Sequence, residues 1–193
     1  MTNIDFNTCM QLILYGGLMI ILAICSVTDL TQRRIPNLLT LPTIAVALFI
    51  HSIIGGWDGL LFSLAGLALG FAALLFPYLL GGMGAGDVKL MAGVGAVLGA
   101  GNTLVALLFI AIAGGILALV LMVHRGIFKQ TLSKICVSFL FLVACKDASL
   151  LKHDKNEISQ DGIPYGIAIA SGVCLFFIYL LINKEALPVF GAL

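Results

Sequence analysis

The run Leu60-Leu61-Phe62-Ser63-Leu64-Ala65-Gly66-Leu67-Ala68-Leu69-Gly70-Phe71-Ala72-Ala73-Leu74-Leu75-Phe76-Pro77-Tyr78-Leu79-Leu80 contains no charged side chain. Coiled as a helix it reaches about 30 Å, the thickness of a bilayer's hydrocarbon core. Backbone groups in lipid have no water to bond, so such a segment must be helical. Working outward, the same pattern recurs at about 9–28, 38–54, 88–100, 102–123 and 163–182. With 59–80, these predict an all-α, polytopic membrane protein of about six transmembrane helices. We expect one transmembrane domain over residues 1–193, with a loop at 124–162. Composition agrees: 61% of residues are hydrophobic and 10% charged, and mean hydropathy is +1.17. The fourth span is short, so it starts earlier, tilts, or lies shielded inside the bundle. Gly66 with Gly70, and Gly95 with Gly99, have the spacing that lets helix backbones approach closely.

The basic residues orient the chain. Arg33 and Arg34 follow the first span, and Lys89 opens the fourth. Arg125, Lys129, Lys134, Lys146, Lys152 and Lys155 lie between the fifth and sixth. With six spans these share one side of the membrane; of the ten Lys and Arg, only Lys184 falls opposite. The positive-inside rule makes the basic side cytoplasmic and puts both termini outside.

The first span is read as retained: no Lys or Arg precedes it, and it ends at Asp29 and Arg33-Arg34 without a small-residue cleavage site. Leu22-Ala23-Ile24-Cys25 resembles a lipoprotein box, but Ile24 is too bulky before the cysteine. Cys9, Cys25, Cys136, Cys145 and Cys174 lack metal or disulfide spacing and read as small apolar residues. Within 124–162, Ile135 to Cys145 is apolar but too short to span. An interfacial helix is expected there; a seventh span competes and would spoil the charge bias.

The chemistry concentrates in Gly81-Gly82-Met83-Gly84-Ala85-Gly86-Asp87-Val88-Lys89-Leu90 and around Asp29. A carboxylate at a membrane boundary is a functional candidate by default. The charge-derived topology brings Asp29 and Asp87 to one membrane level. Two nearby carboxylates can share a proton, one activating water while the other polarises a peptide carbonyl. Such chemistry requires no metal and no cofactor. His51, His124 and His153 are scattered, and Ser63 or Ser171 would need a partner across the bilayer. The competing role for Asp87 is that of a helix N-cap; for Asp29, that of a boundary charge paired with Arg33 or Arg34. The glycines imply close backbone approach or unusual dihedrals. A phosphate-binding loop fails on context, since no strand precedes it and no Lys-Ser or Lys-Thr ends it. Helix ends suggest an ionised Asp87 and a protonated Asp29. Lys89 either snorkels to the interface or supports the site by pairing with Asp87 or a substrate acid. Pro36 and Asn37 suit a helix start, and Pro164-Tyr165 suits either a kinked helix start or a wall of the site.

Gly84-Ala85-Gly86-Asp87 resembles the GxGD signature of intramembrane aspartyl proteases, and Val88-Lys89-Leu90 resembles its continuation in type IV prepilin peptidases. Asp29 followed by Ile35-Pro36-Asn37 is similar to that family's first catalytic motif. Ile163-Pro164-Tyr165-Gly166 is similar to its Pro-Phe-Gly element, with Tyr165 in place of phenylalanine. The resemblance implies that Asp29 and Asp87 are the catalytic pair, Gly84 and Gly86 the active-site loop, and Lys89 a candidate for site or substrate support. It implies removal of the short basic leader of a prepilin or pseudopilin at the cytoplasmic face of a bacterial inner membrane. Larger members carry an inserted cysteine-motif domain for methylation. No such insertion is seen here, so no methyltransferase activity is expected. The compact form looks like the CpaA or TadV type of Flp/Tad pilus systems. Expected partners are that substrate and the lipid bilayer, with no nucleic acid. A protease for another leader, such as preflagellin, and a non-enzymatic ion- or proton-coupled transporter remain the alternatives.

Overall fold

A computed structural model describes residues 6–32, 35–79, 83–124 and 165–183. The described residues form four helices: α1 (Phe6–Gln32), α2 (Asn37–Leu79), α3 (Ala85–His124) and α4 (Tyr165–Ile182). Each is long and apolar enough to cross a membrane. The protein is therefore an all-helical membrane protein over its described residues. The expected interfacial helix at 135–145 lies outside them.

The expected second and third spans are one element, as are the fourth and fifth. The sequence predicts breaks near 55–58 and 101; the structure makes each with a single glycine, Gly56 (φ 57, ψ −130) and Gly99 (φ 74, ψ 169). Positive φ is costly for a residue with a Cβ, so glycine turns the chain where no polar loop is present. These turns are reversals. Unbroken, the 43 residues of α2 would extend about 65 Å, twice the hydrocarbon thickness. Instead a Cβ on Gly59 would strike the His51 carbonyl, and the His51 and Phe62 rings sit 5.2 Å apart. The limbs 37–55 and 57–79 thus form a helical hairpin. Beyond Gly99 the chain runs back likewise, with Ile110 against Gly172 and Gly114 against Ala168.

Close packing follows the glycine pattern. Cβ atoms on Gly66 and Gly95 would each strike the other residue's carbonyl, and one on Gly70 would strike that of Met91. The Ser63 hydroxyl donates to the Ala96 carbonyl at 2.7 Å across the same seam. The limb 85–98, about 21 Å long, is too short to cross alone. It is the shielded centre of the bundle, with Val88 and Leu90–Gly99 buried. In α1 the buried stripe is Leu14, Leu18, Leu22 and Cys25, and in α4 it is Ile169, Val173, Phe176 and Leu180. These two helices run antiparallel, joined at one end by Tyr15 on Phe177 at 5.7 Å and at the other by Ser26 on Gly166. Ile13, Ile20, Phe49, Trp57, Phe76 and Leu108 face outward, as lipid-exposed side chains do.

The chain divides into two compact units, one of residues 1–114 and 164–193, the other 115–163. The described part of the second is the end of α3, helical through His124.

Candidate active site

Helical spacing sets the first carboxylate. Leu18, Leu22, Cys25 and Asp29 recur at three- and four-residue steps, so Asp29 continues the buried face of α1 into its last turn. Asp29 is 8% exposed. Its Oδ2 accepts the Gly166 N–H at 2.8 Å. Gly166 is in the first turn of α4, where amides have no acceptor within the helix. Asp29 thus caps another helix. The C-terminal end of its own helix dipole is unfavourable to an acid; the N-terminus of α4 supplies the opposite field.

The second carboxylate is capped differently from the sequence expectation. Asp87 is not the N-cap of α3, which begins at Ala85. Gly84 holds that position, and Asp87 lies three residues on. Its Oδ2 accepts the Gly84 N–H at 3.1 Å, and its own N–H donates to the Gly84 carbonyl at 3.2 Å. This is the reach-back half of a capping box. Asp87 is also 8% exposed, and its Oδ1 is buried without a hydrogen-bond partner among the described residues. One oxygen is structural and the other uncommitted, so capping and catalysis need not compete.

Each glycine around the pair has a steric reason. A Cβ on Gly84 would sit 3.2 Å from Asp87 Oδ2, and one on Gly86 2.9 Å from the Ile35 Cβ. A Cβ on Gly166 would sit 2.8 Å from Asp29 Oδ2 and 3.1 Å from Asp29 Cβ. The segment after Asp29 is therefore locked to the loop before Asp87. Ile35 packs on Gly86, while the Lys89 ammonium donates to Asn37 Oδ1 at 3.0 Å. Pro36 starts α2 by accepting the Leu39 N–H at 3.1 Å. Lys89 thus ties the first turns of α2 and α3 together.

Asp29 and Asp87 lie within electrostatic reach of each other, and the Tyr165 phenol lies within reach of Asp87. The N-terminus of α4 therefore meets both acids: Gly166 by hydrogen bond, Tyr165 through space. Sequence reasoning left Pro164-Tyr165 as either a wall of the site or a kinked helix start, and it missed the Gly166 bond to Asp29. The available signal was a glycine where α4 begins. Among the described residues, no group of three or more His, Cys, Asp or Glu is placed to hold a metal ion. Cys9, Cys25 and Cys174 are free thiols.

A helical membrane protein with two buried carboxylates at its helix ends, each within electrostatic reach of the other, has the equipment for acid–base hydrolysis of a peptide bond. The sequence model of the type IV leader peptidase family matches residues 17–119, taking in both aspartates. The chain belongs to that family. Comparison with curated proteins and with solved structures gives no match.

Proposed function

We propose that the protein is an aspartic-type endopeptidase that removes the leader of prepilin-like substrates, with Asp29 and Asp87 as its catalytic pair. The observation carrying this reading is the convergence of two buried carboxylates, from α1 and α3, on the N-terminus of α4. The chemistry asks the pair to share a proton: an ionised member takes a proton from water, and a protonated member hydrogen-bonds the scissile carbonyl. Attack gives a tetrahedral diol, and return of a proton to the amine releases the leader. The capping bonds from Gly84 and Gly166 hold one oxygen of each acid, which limits reorganisation during reaction.

Gly84 and Gly86 serve as the active-site loop: a Cβ on Gly86 would clash with Ile35, and one on Gly84 would crowd the Asp87 carboxylate. Lys89 supports the site by holding Asn37, and its surface position suits it to an acidic group of the substrate. The helical limbs make six passes through the inner membrane, the short limb 85–98 shielded by its neighbours, with the aspartates near the cytoplasmic face. No methyltransferase activity accompanies cleavage. The test is co-expression with a prepilin and measurement of leader removal by gel mobility and N-terminal sequencing. Asp29→Asn and Asp87→Asn should each abolish processing; processing by both variants would sink the proposal.

A further inference from the structure

Asp87 is held on one side only. Oδ2 has the Gly84 amide, whereas Oδ1 is buried and has no donor among the described residues. A buried carboxylate oxygen without a donor is costly to maintain, and each such group calls for an explanation. It also leaves the carboxylate plane fixed at a single point, a weak arrangement for a group that must meet water and substrate in a defined orientation.

The start of α4 offers a donor of the right kind. Gly166 is already bound to Asp29, which fixes the backbone of the adjoining Tyr165 beside the pair. The Tyr165 ring is half-buried, and its phenol is within electrostatic reach of Asp87. Phenylalanine at this position would fill the same wall without supplying an O–H. Tyrosine adds one donor next to an acid that lacks one. Reaching Oδ1 calls on rotation of the side chain, a movement open to a partly exposed ring.

We infer that Tyr165 is a positioning residue for the aspartate pair, its hydroxyl donating to Asp87 Oδ1 when substrate occupies the site. The two first residues of α4 then hold both acids: the Gly166 amide orients Asp29, and the Tyr165 hydroxyl orients Asp87. No bond is made or broken by Tyr165, and it carries no proton in the reaction. This inference rests on the proposed peptidase reading.

The experiment is cleavage of a purified prepilin by the full chain in detergent, comparing wild type, Tyr165→Phe, Asp29→Asn and Asp87→Asn. A lost hydrogen bond to a charged group should lower kcat about tenfold. KM should stay within about twofold and the thermal midpoint should not move, because the ring and its packing remain. A purely structural role would instead move the midpoint, or raise KM along with lowering kcat, and either result overturns the inference. So does wild-type kcat in Tyr165→Phe when the two Asn variants are inactive, which leaves the peptidase reading intact. Cleavage by both Asn variants removes that reading and this inference with it.

Discussion

Gly166 shows how a small residue can set the position of a proposed catalytic acid. Replacing it with alanine would favour helix formation by up to about 1 kcal/mol, so α4 has no reason to unravel. The new Cβ would nevertheless lie 2.8 Å from Asp29 Oδ2, displacing the carboxylate from the amide that orients it. Gly166→Ala should lower prepilin cleavage about 100-fold or more, since small misplacements of reacting groups cost that much. Circular dichroism should remain helical, and normal cleavage would show that the close approach is unimportant. Thr40 presents the opposite case. Of the buried hydroxyls, Ser63 and Thr103 bond backbone carbonyls, whereas Thr40 Oγ1 has no partner. Thr40→Val should therefore hold or raise stability, by up to about 1 kcal/mol, read as the thermal midpoint in detergent. A fall of that size would reveal a partner for the hydroxyl. The acids themselves were legible in the sequence as charges at the ends of apolar runs. The bond between Asp29 and Gly166 was not, because its ends are 137 residues apart and only the antiparallel packing of α1 and α4 unites them.

At the scale of elements, glycine performs two different tasks that a sequence pattern does not distinguish. Gly56 and Gly99 reverse the chain through positive φ, while Gly66, Gly70 and Gly95 bring backbones together in ordinary helical conformation. Apolar run lengths placed the limbs to within a few residues. They could not show that the limbs join without intervening loops, because the glycine-containing breaks at 55–58 and 101 read equally as short loops. Gly95→Val would drive a branched side chain into the Gly66 carbonyl. It should destabilise the bundle by about 3 kcal/mol or more, seen as loss of a monodisperse peak in size-exclusion chromatography. Gly101→Val is the matched control, since nothing among the described residues lies within 4 Å of its Cβ position. Equal behaviour of the two variants would refute backbone contact as the reason for these glycines.

For the whole molecule, the decisive quantity is the parity of chain reversals between the two acids. Asp29 ends α1, and Asp87 can return to the same level only if α2 folds back on itself. A straight α2 would carry Asp87 to the far side of the membrane. The hairpin at Gly56 therefore assembles the site although it lies remote from both carboxylates. Charge counting reached the same arrangement independently, because any odd number of crossings between Asp29 and Asp87 would have split the basic residues between the two sides. That agreement yields a topological prediction separate from catalysis. In intact cells of a cysteine-free background, Lys184→Cys should react with a membrane-impermeant maleimide added outside. Lys155→Cys should react only after permeabilisation. The reversed pattern would turn the molecule over in the membrane, placing the aspartates on the face where a leader still awaiting export cannot reach them.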